Sequence, residues 1–384
     1  MAGLYIHIPF CASRCIYCNF YSTTSLQQRQ QYVDAVCREM EIRRPIPNPS
    51  QRDGRIDTIY LGGGTPSQLP SDQLRQLFIY INKVYGLQAK EVTIEMNPDD
   101  VTPEYAAVLR QLPINRVSMG AQTFNDQRLQ FLHRRHTACQ VQQAVKILRN
   151  AGIHNISIDL MYGFPNETLT DWQDDIDAAL ALNVEHISAY CLSIEEGTPL
   201  ARIMETSSMI EKNQKKVTMI PCDEELERQM YELLIDKLTA ADYEHYEISN
   251  FAKPGYRSRH NSSYWQDIPY IGLGAAAHSY DGHRRQWNVA DLQTYIDSIE
   301  QGIIPCEFEE LDDDTHYNDR ITTALRTSDG LDLNTLGERH HRYCVKEAQK
   351  FIDDGLLHVV DNHLALTRKG LFVSDYIMSS LIIV

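Results

Sequence analysis

The chain has no apolar run long enough to cross a bilayer. Its best, the C-terminal "IMSSLIIV", falls far short of the roughly 20 residues a spanning helix needs. It reads as the buried face of a last helix or strand. No basic stretch followed by an apolar one opens the sequence, which starts with the strand-like "GLYIHIPF", so no signal peptide is expected to be removed. An excess of positive charge is missing too. The formal net charge is -16, which argues against a surface that neutralises phosphates and hence against a nucleic-acid partner. There is no internal repeat and no low-complexity tract. The nine cysteines lack the even count and spacing of a disulfide framework, so a reducing cytoplasm is the expected location. Six of them, Cys37, Cys139, Cys191, Cys222, Cys306 and Cys344, are scattered and read as small core residues or bystanders.

What is present is a regular alternation over the first 200 or so residues. Short runs rich in β-branched residues, "LYIHIPF", "IDTIYLGG", "EVTIEMNP", "RVSMGAQ", "NISIDLMYG" and "HISAYCLSI", read as strands. Helix-period segments lie between them at 26–43, 71–85, 103–111, 138–151 and 168–182. Ser71 is the expected cap of the second, and Thr102 caps the third with Pro103 in its first turn. Six such units predict an α/β fold with a parallel sheet that curls toward a barrel or a doubly wound sheet, its six units fewer than the eight of a closed barrel. Residues 43–55 form a Pro-rich polar loop, and a polar stretch at 205–224 marks a boundary. The expected division is a barrel over 1–220, a middle α+β region over 221–310 and a C-terminal module over 311–384. The last has expected helices at 315–326, 332–340 and 344–354, then a hairpin turning at "DN", and resembles a winged helix.

The remaining three cysteines, Cys11, Cys15 and Cys18, stand at spacing C-x3-C-x2-C directly after the first strand. Two residues on, where a fourth might stand, is Phe20. Structural zinc takes four ligands, commonly from paired C-x2-C units, and no second C-x2-C follows. A [4Fe–4S] cluster usually takes four thiolates; three leave one iron open. Other polar residues gather at strand ends. "LGGGTPS" follows the second strand, with Gly63, Gly64 and Thr65, and glycines there let the backbone approach a ligand. Glu95 ends the third strand, Gln122 the fourth, and Asp159 lies on the fifth. Side chains at the carboxyl ends of successive parallel strands converge on one mouth.

The cysteine spacing resembles the radical S-adenosylmethionine (SAM) superfamily. That resemblance implies a [4Fe–4S] cluster held by Cys11, Cys15 and Cys18, its open iron chelated by SAM. In that superfamily the reduced cluster, supplied by an electron donor, cleaves SAM to a 5′-deoxyadenosyl radical. More narrowly, "LYIHIPFCASRCIYCNF", "LGGGTPS", "IEMNPD", "RVSMGAQTF" and "IDLMYGFP" resemble oxygen-independent coproporphyrinogen III oxidase and its relatives over nearly the whole chain. Carried over position by position, the resemblance implies SAM contacts at Tyr5, Tyr17, Gly63, Gly64, Thr65, Glu95, Gln122, Arg134 and Asp159, with Arg135 adjoining Arg134.

Two departures separate the chain from the true oxidase pattern: Phe20 replaces a further cysteine, and only ten residues precede Cys11. A positive feature is "HNSSYW", His260 to Trp265. Histidine is suited to ligate heme iron, and Tyr and Trp can pack on a porphyrin face; a histidine beside aromatics is also often simply packed. The pattern H-N-x-x-Y-W resembles the heme-chaperone branch of the same family, the HemW proteins. That resemblance implies heme as cargo, a heme-acceptor protein as partner, His260 as candidate ligand of the heme iron and no assigned catalytic residue. Coproporphyrinogen III oxidation and another radical SAM reaction are the alternatives.

Overall fold

The structure, a computed structural model, describes residues 2–43, 56–210 and 220–384. The expected loop at 44–55 and part of the expected polar boundary, 211–219, lie outside the described residues. Six strands run parallel and neighbour one another in chain order: β1 (Ala2–Ile8), β2 (Ile56–Gly63), β3 (Glu91–Met96), β4 (Arg116–Gln122), β5 (Asn155–Tyr162) and β6 (His186–Cys191). Helices α1 (Arg29–Ile42), α2 (Ser71–Tyr85), α3 (Pro103–Leu109), α4 (Asp126–Phe131), α5 (Ala138–Asn150), α6 (Leu169–Ala181) and α7 (Pro199–Ile210) connect and flank them. This is the α/β partial barrel of six units.

Each barrel strand alternates. Leu4, Ile6 and Ile8 of β1, Ile59 and Leu61 of β2, Val117 and Met119 of β4 and Ile156, Ile158 and Leu160 of β5 are fully buried against the helices. The residues between them face the barrel interior and are mostly polar. A period of two with both faces covered gives one apolar layer outside and one polar layer inside.

The middle region does not form a separate sheet. After α8 (Glu224–Ala240) come β7 (Glu244–Glu247) and β8 (Asn250–Ala252), which extend the barrel sheet beyond β6 in antiparallel fashion. Then α9 (Arg259–Trp265) leads to β9 (Tyr270–Leu273), parallel to β1 at the other edge. Beyond it β10 (His278–Tyr280), β11 (Arg284–Asn288) and β12 (Cys306–Glu310) continue antiparallel. Among the described residues the result is one sheet of twelve strands.

The C-terminal module has its own core, with Ile321, Cys344, Phe351, Ile377 and Leu381 buried together. Its three strands are β13 (Leu331–Asp332), β14 (Leu357–Val360) and β15 (His363–Leu366). The expected hairpin turns at Asp361 and Asn362, both in the left-handed region (φ 48 and 63) that a tight two-residue turn requires. "IMSSLIIV" supplies Ile377, Met378 and Leu381 to the buried face of the last helix, Ser374–Leu381. Two local expectations are corrected. Residues 332–340 are not one helix: Leu331 pairs with Leu364, Asp332 accepts the Asn334 N–H, and the helix begins only at Glu338. Ser71 is the first residue of α2 rather than its cap, which is Pro70. Thr102 does cap α3, accepting from the Tyr105 N–H. Among the described residues no helix is long and apolar enough to cross a membrane.

Candidate functional site

The loop after β1 carries the three cysteines and is tied down at several points. The Cys11 N–H donates to the Thr23 carbonyl, and Thr23 N–H to that of Pro9. The Thr65 N–H reaches the Phe10 carbonyl at 2.8 Å, and the Ile16 N–H that of Leu132. None of the nine cysteines is in a disulfide. Cys11, Cys15 and Cys18 line one cavity of about 800 Å³ at the carboxyl ends of the strands, within the usual size of a ligand pocket. Among the described residues no three His, Cys, Asp or Glu side chains converge on one metal ion. Three thiols on separate corners of a four-iron cube do not need to, because each ligates a different iron.

The thiols have polar neighbours. The Thr65 hydroxyl lies 3.5 Å from the Cys11 sulfur, and Arg134 Nη1 lies 3.5 Å from the Cys15 sulfur. Burial pushes the Cys11 and Cys18 thiols up. They are therefore held as thiols until a metal takes the place of the proton. Tyr17, also in the lining, faces Arg134 and Cys15. The donor set thus fits a cluster with three protein thiolates, which when bound supplies an electron-transfer centre with one open iron.

The rest of the lining gathers most of the expected residues: Gly63, Gly64, Thr65, Glu95, Gln122, Arg134 and Asp159 all face this cavity. Glu95 accepts from the Tyr60 hydroxyl at 2.7 Å and from the Gly63 N–H at 3.0 Å. Burial raises its carboxyl to about 7, against those two hydrogen bonds. Burial likewise raises Asp159, to about 6, although Arg116 opposes it and Ser188 and Ser118 bond to it. Gln122 sits at φ 66, beside a register shift in β4. A non-glycine residue held there is a strained position of the kind found at ligand sites. The two adjoining arginines are distinguished. Arg134 Nη2 donates to the Gly120 carbonyl at 2.5 Å beside Cys15, whereas Arg135 is paired with Asp99 and Asp100 at the rim. Carboxylates for a cation, an arginine for a carboxylate and exposed backbone at two glycines make a set suited to SAM.

Gly64 is needed for the fit of two loops. Its N–H donates to the Ile8 carbonyl at 2.9 Å, and an added Cβ would lie 2.8 Å from both the Ile8 oxygen and the Pro9 carbonyl carbon. Gly64→Ala is therefore expected to push the start of the cysteine loop outward. Thermal unfolding should report a loss of about 1–3 kcal/mol, and iron content after reconstitution should fall with it.

Two expected residues stand apart. Tyr5 is one layer below the mouth, bonded through its hydroxyl to His7 Nδ1 at 3.0 Å, and is not in the cavity lining. His260 stands farther away. It is 0% exposed, at the opposite end of the barrel, beside Gly3 and Thr58. That is some five strand residues, roughly 16 Å, from the cysteine end. Its Nδ1 bonds the Thr58 hydroxyl at 2.8 Å and its Nε2 the Tyr264 hydroxyl at 2.8 Å. Its ring stacks on Tyr60, and burial lowers it to about 3. Both ring nitrogens are thus engaged by hydroxyls. "HNSSYW" forms α9, whose first N–H groups bond Glu91 and whose His260 and Tyr264 meet one turn apart to plug the barrel floor. Phe20 is 68% exposed at the cavity rim.

Comparison with known proteins bears on this site. The family model for the radical SAM superfamily matches residues 5–179, and that for the HemN C-terminal domain matches 311–373. The chain is 34% identical to the heme chaperone HemW of Bacillus subtilis (strain 168), covering 99% of each chain. It is 32% identical to the heme chaperone HemW of Mycobacterium tuberculosis (strain ATCC 25618 / H37Rv), covering 99% of this chain and 94% of that one. Among solved structures, coproporphyrinogen III oxidase (HemN) from Escherichia coli, a radical SAM enzyme, matches with a TM-score of 0.80 at 21% identity. The match covers 99% of this chain and 90% of that one, and speaks for the fold.

Proposed function

The chain belongs to the HemW family of the radical SAM superfamily, and on that premise we propose that it is a heme chaperone. In this reading Cys11, Cys15 and Cys18 hold a [4Fe–4S] cluster. SAM lies against Gly63, Gly64 and Thr65, with Glu95, Gln122, Arg134 and Asp159 around it, Tyr17 beside the cluster and Tyr5 beneath. Heme is the cargo, a heme-requiring protein its acceptor, a separate protein the electron donor to the cluster, and the cytoplasm the setting. The single observation that carries the reading is the convergence of three unpaired thiols and four polar strand ends on one cavity. It occurs in a chain that matches heme chaperones along its whole length.

The residues divide the work by charge. Arg134 is placed to meet a carboxylate beside Cys15, and Glu95 and Asp159 to meet positive charge deeper in the barrel mouth. Gly63 and Gly64 admit a ligand to the backbone, and Thr65 fixes the Cys11 side of the loop.

The test is anaerobic reconstitution with iron and sulfide, followed by loading with heme and mixing with apomyoglobin as a generic acceptor. Heme should bind near one per chain and move to the acceptor. The same preparation, given coproporphyrinogen III, SAM and reductant, should make no protoporphyrinogen. Sustained formation of that product would replace the chaperone reading with the oxidase one.

A further inference from the structure

Among the described residues, the barrel interior holds a buried cation that nothing neutralises at close range. Arg116, at the start of β4, is 1% exposed, and its Nε and Nη1 have no hydrogen-bond partner. Among the described residues no carboxylate lies within ion-pair distance of it, although the less deeply buried Arg128 and Arg43 are each paired with a glutamate. Its strand neighbours at the same level are Thr93, whose hydroxyl is also unpartnered, and Asn155. One layer up, towards the cysteines, Ser118 sits beside Glu95, and Asp159 lies beyond.

Burying an unpaired guanidinium is costly, and a stable core would replace it with an apolar group. What surrounds it gives a reason to keep it. We propose that Arg116 is a positioning residue for the SAM site: its unpaired charge, fixed beneath the mouth, holds the Glu95 and Asp159 carboxyls in their ionised form so that they present negative charge to a cationic ligand. The inference rests on the reading that SAM, a sulfonium cation, occupies the mouth.

The field around the pair is accounted for element by element. Glu95 faces Tyr60 from β2, Tyr5 from β1, Tyr264 from α9, Asp159 from β5 and Arg116 from β4. Asp159 faces Arg116, Arg134, Tyr60 and Tyr190. The tyrosines are neutral, and burial lowers His186 and His260, the imidazoles nearest to Arg116, so they add no charge at neutral pH. Burial raises both carboxyls, Asp159 raises Glu95 further, and Arg116 opposes the rise at both. In a buried setting a full charge acts over several ångströms without contact.

The experiment is equilibrium binding of SAM to the cluster-loaded protein from pH 6 to 9, in wild type and in Arg116→Met, Arg116→Gln and Arg116→Lys. The methionine variant removes the charge but fills the space with an apolar chain, so it should fold at least as well as wild type; cluster absorption checks this. In both neutral variants the pH at which binding becomes tight should move up by about one pH unit. That makes binding about ten-fold weaker near pH 7 and restores it at alkaline pH. Arg116→Lys should keep the wild-type midpoint. A neutral variant with the wild-type profile overturns the proposal, and so does a lysine variant that behaves like methionine. A wild-type protein that binds its cluster but no SAM at any pH sinks the SAM reading itself, and this inference with it.

Discussion

Replacing any one of Cys11, Cys15 and Cys18 by alanine should abolish the visible absorption of the reconstituted cluster and SAM binding with it. Cys37→Ala and Cys344→Ala should leave both intact. The contrast follows from placement. The three clustered thiols share one cavity at the strand ends, whereas Cys37 and Cys344 are sealed into apolar cores. The loop that carries them is pinned to the turn after β2, to the end of α4 and to α7 by separate backbone bonds, from Thr65 to Phe10, Ile16 to Leu132 and Leu200 to Ile16. A loop fixed in that way cannot bring another donor into a vacated corner, since Phe20 occupies the next candidate position. Removing a supporting group near a metal site usually costs about 10–100-fold in affinity; losing a ligand should cost more. Arg134→Ala is the graded control, because Arg134 touches a thiol without being a ligand. An intact absorption band in any of the three cysteine variants removes that residue from the ligand set.

His260→Ala should cost about 3 kcal/mol of stability, from two lost hydrogen bonds, partners left unsatisfied and a cavity beneath Tyr60. Heme affinity of the folded protein should stay within about two-fold. The stability cost has a pH signature. The folded protein keeps His260 neutral down to about pH 3, by burial and then by the nearby Arg116, while in the unfolded chain the imidazole titrates near 6.5. The stabilising contribution is therefore full above pH 6.5 and is lost as pH falls from there. Chemical denaturation of wild type and variant at pH 8 and pH 5 should show the gap narrowing at the lower value. Lost heme binding with unchanged stability would reverse the assignment and make His260 an iron ligand.

The strands and most helices were legible because both periods were strong and the caps local. Thr102 before Pro103 is read directly from the chain, and its side chain caps as expected. The segment 332–340 misled because Asp332 and Leu331 are claimed by distant β15, a pairing with no local mark. At the mouth, Glu95, Gln122 and Asp159 were legible from their place at strand ends. The level of Tyr5 within the barrel was not, because a place on β1 does not tell how far below the mouth a side chain lies, and the place of His260 was not, because the local pattern "HNSSYW" does not tell which end of the barrel α9 packs against. Arg116 was missed, although a signal exists. "TIYL", "TIEM", "RVSM" and "SIDL" alternate polar with apolar residues, and strands buried on both faces ordinarily read as continuous apolar runs. The alternation announces a polar interior, and an arginine in that register is the group to ask about.

The most direct measurement is a Mössbauer spectrum of the protein reconstituted with isotopically enriched iron, before and after SAM is added. Three thiolates on a four-iron cluster leave one iron open, so about one quarter of the iron signal should change its environment on SAM addition while the rest stays as it was. A spectrum that SAM leaves unchanged, or one showing no four-iron cluster in the wild-type protein, would contradict the account.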